Sequence, residues 1–292
     1  MDSALSTIGL PVALGIIMLG LGLGLTPGDF ARVGKHPKAV LVALGCQLVL
    51  LPAICFGLVV LFDLPPLLGI GMMLLAASPG GTTANLYSHL FRGDVALNIT
   101  LTAINSVVSV VTLPVITSLA ITYYDRGDEV QLPFVEVVKV FVLVLAPVLI
   151  GMAVRHRSPG FAARMDKPVR IASAFILAVL LLAILLGELE NVADYFAAVG
   201  AVAALFCAAS LVVGYVVPKA LGITDAQAIA SSMEIGVHNA TLAIFVAVEV
   251  LGEVEISVPA AVYSIFMFVF AAIWGMFVSR RVGAREAAGT SA

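Results

Sequence analysis

Glu234 stands inside the apolar stretch Ser231-Ser232-Met233-Glu234-Ile235-Gly236-Val237-His238-Asn239, and no Lys or Arg is placed at a similar depth. A charged carboxylate in hydrocarbon costs several kcal/mol and needs a counter-charge. Glu234 is therefore read either as protonated or as a ligand of a metal cation. Small hard cations take oxygen ligands; Asn239 in the same stretch and Gln47, Asn85, Asn98 and Thr102 in others offer neutral oxygens. A structural Glu satisfied near a helix end is the competing reading.

The stretch around Glu234 has a counterpart in Ser78-Pro79-Gly80-Gly81-Thr82-Thr83-Ala84-Asn85. Both interrupt an apolar run with Gly or Pro, and both sit between an apolar helix before and another after. Paired, interrupted segments in corresponding positions are a sequence pointer to a transporter's binding site. Backbone unwound deep in a membrane leaves N–H and C=O groups that hydrocarbon does not satisfy. Half-helix N-termini then favour anions, while free carbonyls ligate cations. On that reasoning a substrate's anionic group belongs near Thr82, Thr83 and Asn239, with Ala240 beside it, and needs no Arg or Lys. A pair of kinks that serves helix packing alone is the alternative.

The elements that must carry these breaks are membrane helices. Of 292 residues, 61% are hydrophobic and 11% charged, with a mean hydropathy of +1.13. A soluble domain of this length does not hide so much apolar surface. The apolar runs reach about 20 residues, which suits a spanning helix and is roughly twice a barrel strand. Nine crossing units are expected, at about residues 8–25, 38–62, 65–91 (broken at 79–81), 95–123, 134–154, 169–187, 195–217, 226–251 (broken at 236) and 256–278. The broken units are the third and eighth. Units two to four parallel units seven to nine at an odd offset, so the repeat is an inverted one.

Loop charges alternate along the chain. Arg32, Lys35 and Lys38, then Arg92, then Arg155, Arg157, Arg164, Lys167 and Arg170, then Lys219, and finally Arg280, Arg281 and Arg285 fall on one side. Acidic residues dominate the intervening loops, from Asp63 to Glu255. By the positive-inside rule this places the N-terminus outside and the C-terminus in the cytoplasm of a cell-membrane protein. No loop is long enough for a soluble domain, so the chain is one polytopic membrane domain. The N-terminal residues lack the basic start of a cleaved leader. The net charge of -3, without a basic face, argues against a nucleic-acid partner. No obligate protein partner is indicated.

Several other features read as structural. Cys46, Cys55 and Cys207 lie in apolar stretches without metal or redox spacing. Gly20-Leu21-Gly22-Leu23-Gly24 follows no strand and reads as a close helix-packing face rather than a dinucleotide loop. His36 and His89 have no partner at metal spacing, and Trp274 with Phe277 fits an interfacial belt.

An ordered set of motifs resembles the bile acid:sodium symporter family. It comprises Ile16-Ile17-Met18 with Gly20, Thr26-Pro27-Gly28-Asp29-Phe30, Lys35-His36-Pro37-Lys38, Gln47 with Pro52, Ser78-Pro79-Gly80-Gly81-Thr82 with Asn85, Gly93-Asp94-Val95-Ala96-Leu97, and Glu234-Ile235-Gly236 with Asn239. The resemblance covers nearly the whole chain. It implies an all-α, nine-helix fold with a core domain of residues 38–123 and 195–279, in which the broken helices cross. A panel domain of residues 8–26 and 134–187 faces that core, with alternating access between the two. It further implies a first Na+ site on Asn85, Asn98, Thr102 and Glu234, with Ala84 where a Ser is usual. A second would fall on Gln47, Glu234, His238 and the carbonyls of Ile235 and Val237. His238 replaces a usual Gln, and an imidazole nitrogen suits sodium less than oxygen. The second site is therefore expected to be weaker or pH-sensitive.

The sequence thus predicts a sodium-coupled symporter of small organic anions, embedded in the lipid bilayer and binding one or two Na+ ions. A proton-coupled or sodium-independent carrier is the alternative. An enzyme reading lacks a paired Asp, an HExxH or a Ser/His constellation at membrane depth. A channel predicts non-saturating flux.

Overall fold

The structure, a computed structural model, describes residues 10–81, 83–127, 134–165, 168–169, 171–172, 175, 179, 182 and 192–289. All regular elements among them are helices: α1 (Leu10–Gly24), α2 (Pro37–Leu61), α3 (Pro66–Ala77), α4 (Thr83–Leu90), α5 (Val95–Tyr123), α6 (Phe134–Arg157), α7 (Val192–Ala220), α8 (Asp225–Gly236), α9 (Ala240–Val250) and α10 (Val258–Gly289). The starts follow local chemistry. Pro37 and Pro66 open their helices, where a missing N–H costs nothing. Asp94, Thr224 and Asn239 cap α5, α8 and α9 through side-chain oxygens that accept from Leu97, Gln227 and Leu242 N–H.

Among the described residues, α2, α5, Phe196–Ala220 and Glu255–Val282 are long and apolar enough to span a membrane. A fifth span arises if Leu14–Gly24 is joined with Pro27–Gly34 across a 68° bend. Pro27 restarts the chain at that bend, and Asp29 pins it by accepting from Thr26 N–H and Oγ1–H (2.7 Å each) and from Arg32 (2.8 Å). The expected sixth unit, at 169–187, lies almost wholly outside the described residues, as does Thr82. The segments at 65–91 and 226–251 are each two short helices, interrupted as expected.

α1 lies along α6. A Cβ on Gly22 would sit 2.2 Å from the Val148 carbonyl oxygen, and one on Gly151 would sit 2.6 Å from that of Leu19. Within the predicted glycine run, Gly22 makes the close backbone approach, whereas Gly24 has nothing within 4 Å. The broken helices run through the best-buried part of the molecule. Along α3 the side chains from Leu68 to Ala77 are all buried, and so are those from Ala228 to Gly236 in α8. Tyr263 of α10 and Phe206 of α7, both fully buried, close the core around the second break.

α2 is not a uniform helix. Cys46–Leu50 forms a π-turn just before Leu51-Pro52. Pro52 has no N–H and its ring crowds the carbonyl four residues back, so the ladder widens ahead of it. Gln47 sits on this wide turn and is buried.

Candidate ion and substrate site at the crossing of two broken helices

The two breaks satisfy each other. Ser78 leaves α3 in extended conformation, and Gly80 pairs with His238 as an isolated antiparallel bridge. Gly81 N–H donates to the Val237 carbonyl (2.6 Å), and Asn239 N–H donates to the Pro79 carbonyl (2.8 Å). Tyr263 Oη–H donates to the Gly236 carbonyl at 2.9 Å. Backbone groups orphaned by one interruption thus find partners in the other, which is what a low-dielectric interior demands.

Glu234, fully buried, points at this crossing. Thr102 Oγ1 donates to its Oε2 at 2.5 Å, and Asn105 Nδ2 donates to its Oε1 at 3.1 Å. Its carboxyl group also lies against the Gly80 backbone: a Cβ there would meet Cδ and Oε1 at 2.3 Å. Thr102 is also 3.0 Å from the Asn98 carbonyl oxygen, so its single proton serves one acceptor at a time. Asn98 donates from Nδ2 to the Ala230 carbonyl (2.8 Å). Its Oδ1 is buried without a hydrogen-bond partner among the described residues, and the same holds for Oδ1 of Asn85 and of Asn105. Buried amide oxygens without donors are expensive and are suitable ligands for a hard cation.

A second group gathers at the Ser78 carbonyl. Gln47 Nε2 donates to it at 3.0 Å, and His238 Nδ1 lies 3.3 Å from it. When His238 carries its proton on Nδ1, Nε2 becomes an acceptor. That Nε2 and Gln47 Oε1 are both buried without partners among the described residues. The imidazole stacks on Phe206 (5.6 Å between centroids, 22°) and meets Tyr263 edge-on (5.4 Å, 71°).

Of the sequence-predicted cation ligands, Thr102 contacts Glu234, and Asn98 precedes it by one turn of α5. Gln47 and His238 converge on Ser78 instead. Among the described residues no hydrogen bond joins either of them to Glu234. Ile235 and Val237 are buried beside the crossing, with the Val237 carbonyl taken by Gly81. Asn105 was not anticipated. The signal for it is its spacing: Asn98, Thr102 and Asn105 recur at i, i+4 and i+7 on one face of α5. Of the substrate candidates, Asn239 uses Oδ1 to cap Leu242 N–H (3.1 Å), which leaves Nδ2 as a donor. Ala240 is buried at the start of α9, and Thr83 is half-buried at the start of α4.

A cavity of about 440 Å³ opens beside α4, walled by Ile17, Gly20 and Leu21 of α1, Asn85 and His89 of α4, Ile99 of α5 and Arg155 of α6. A guanidinium, that of Arg155, thus stands in the wall of this cavity. Arg155 belongs to the last turn of α6 rather than to a loop, and the close packing of α6 on α1 brings it to the wall.

Residues 11–195 match the model of the Sodium Bile acid symporter family. The chain is 25% identical over 280 residues to YocS of Bacillus subtilis, an uncharacterized sodium-dependent transporter, covering 96% of this chain and 86% of that one. It is 30% identical over 275 residues to the chloroplastic protein of Arabidopsis thaliana named as probable sodium/metabolite cotransporter BASS1, covering 90% of this chain. It spans only 66% of that plant protein's length. The human ileal sodium/bile acid cotransporter is 26% identical over 280 residues, at 94% and 80% coverage. With its apolar helices, the chain is a multi-pass membrane transporter rather than an enzyme, and it belongs to the Sodium Bile acid symporter family.

Proposed function

We propose that the chain is a sodium-coupled symporter of small organic anions. The observation that carries this reading is the fully buried Glu234 carboxylate at the crossing, bonded by Thr102 and Asn105, while the buried Oδ1 atoms of Asn105, of Asn98 one turn before Thr102, and of Asn85 have no hydrogen-bond partner among the described residues. One Na+ is held by Glu234 with Asn98, Thr102, Asn85 and Asn105. A second, weaker site uses Gln47, His238 and the carbonyls of Ile235 and Val237. The carboxylate neutralises one sodium, and a second sodium balances a monoanionic substrate.

The substrate's anionic group sits against the starts of α4 and α9, at Thr82, Thr83, Asn239 and Ala240, where half-helix N–H groups and Asn239 Nδ2 donate. Its body extends into the cavity walled by α1 and α4. Candidate classes are bile-acid-like, steroid-conjugate and pantoate-like carboxylates. Transport proceeds by alternating access between the core (residues 38–123 and 195–279) and a panel (8–26 and 134–187). The close α1–α6 packing supports the panel as a unit, and the two broken pairs, each flanked by long helices, support an inverted repeat of nine spans. The N-terminus lies outside and the C-terminus in the cytoplasm.

The test is uptake by proteoliposomes of a panel of organic acids, with and without an inward sodium gradient. At least one acid is taken up saturably and only with sodium, and Glu234→Gln abolishes that uptake. Equal uptake with potassium in place of sodium, driven instead by a proton gradient, selects the proton-coupled carrier and contradicts the proposal.

A further inference from the structure

A second pocket, distinct from the cavity beside α4, lies between the C-terminal ends of two spans. It has a volume of about 390 Å³ and is lined by Tyr215 and Lys219 of α7 and by Trp274, Phe277 and Arg281 of α10. Its parts are fixed in place. Trp274 Nε1–H donates to Ser232 Oγ (3.0 Å), and its ring meets Phe277 at 5.7 Å and Tyr215 edge-on at 6.2 Å. The Arg281 guanidinium lies 4.3 Å from the centre of the Phe277 ring. Lys219 Nζ is held 3.0 Å from Asp225 Oδ1, which also accepts from Tyr215 Oη–H (2.8 Å). An ammonium has three donors and Asp225 takes one, so Lys219 retains donors for another anion.

The setting identifies what such a pocket takes. Lys219 and Arg281 stand at the ends of the spans Phe196–Ala220 and Glu255–Val282, where a membrane's headgroups begin. Directly along the same two helices Val212, Val216, Ile273 and Phe277 are exposed, an apolar track for acyl chains. Cations above an aromatic slot that is continuous with a lipid-facing apolar track match a phosphate headgroup joined to hydrocarbon, and basic pockets between spanning helices bind anionic lipid in this way.

We propose that this pocket is a binding site for the headgroup of an anionic phospholipid, with Lys219 and Arg281 holding the phosphate and Trp274 and Phe277 forming its floor. Its lining shares no residue with the proposed sodium and substrate sites.

The chain has one tryptophan, Trp274, so its emission reports on this pocket alone. The experiment places the full chain in vesicles and titrates in phosphatidylglycerol or phosphatidylcholine carrying brominated acyl chains. Brominated phosphatidylglycerol is expected to quench Trp274 at a lower mole fraction than phosphatidylcholine. The preference should fall about fivefold for each charge removed in Lys219→Gln and Arg281→Gln, and Arg281→Lys should retain most of it. An unchanged emission maximum in the variants shows that the Trp274–Ser232 contact survives. Equal quenching by the two lipids overturns the proposal, as does a preference that persists in the double variant. Relief of quenching by soluble glycerol phosphate would assign the pocket to a free phosphate ligand and overturn it as well.

Discussion

The two breaks meet at one crossing, yet they are built from opposite materials. The first, Pro79-Gly80-Gly81, contributes almost no side chain; the second, Val237-His238 between Glu234 and Asn239, contributes a carboxylate, an imidazole and a carboxamide. The emptiness of the first makes room for the content of the second. Gly80 lacks the Cβ that would overlap the Glu234 carboxyl group, and Gly81 approaches the His238 carbonyl (3.2 Å to an added Cβ). Space comes from one break and charge from the other.

The comparison is broken most severely at Gly80. A Cβ there would lie 2.3 Å from Cδ and Oε1 of Glu234, whose buried carboxyl group is held by Thr102 and Asn105. Gly80→Ala is expected to lower stability by about 1–3 kcal/mol, as overpacking does, and to eliminate sodium-driven uptake. Gly81→Ala, with its gentler 3.2 Å contact, keeps measurable uptake. Thermal unfolding and uptake of the two variants side by side decide the matter, and equal effects would remove the distinction between the glycines.

Asn105 comes next. Asn105→Ala removes both the donor to Glu234 Oε1 and a buried oxygen without a partner. A hydrogen bond to a charged group contributes about 1.5–3 kcal/mol, so sodium affinity is expected to fall by about tenfold or more. A sodium titration of the purified variant that overlays the parent's would exclude Asn105 from the site.

Asn239 has a smaller, mixed effect. Asn239→Ala deletes the α9 cap, costing about 1 kcal/mol of stability, and removes the Nδ2 donor. The KM for the organic anion rises, while sodium affinity in the absence of substrate stays near the parent value. A loss confined to stability, with KM unchanged, places the anion elsewhere.

The smallest expected effect is at His238. His238→Gln replaces an imidazole nitrogen with an oxygen, and sodium binding at the second site tightens by about fivefold, on the scale of one ligand interaction of about 1 kcal/mol. Sodium titrations resolving two sites check this; an unaltered weaker site would leave His238 with only its backbone and its stacking on Phe206 and Tyr263.

The two breaks and the lone buried carboxylate were legible in the residues, for physical reasons. Pro and Gly announce breaks because they cannot hold a helical ladder, and a lone carboxylate in apolar sequence announces a cation or a proton. What escaped was tertiary. Asn105 looks like one more polar residue on α5 until α8 is laid against it. Arg155 reads as loop charge because hydropathy ends before the helix does. α10 shows the same effect: its apolar run fades near 278, yet the helix continues to Gly289 through good helix formers. The π-turn at Cys46–Leu50 that carries Gln47 was signalled by Pro52, but the direction in which a widened turn aims a side chain depends on its neighbours.

The central claim is that Glu234 binds sodium at the crossing, and it is tested without knowing the substrate. Equilibrium binding of radioactive sodium to purified parent and Glu234→Gln protein, with helix content compared by circular dichroism, measures it directly. The account predicts saturable binding in the parent and its loss in the variant at equal helix content. Undiminished sodium binding by folded Glu234→Gln would contradict it.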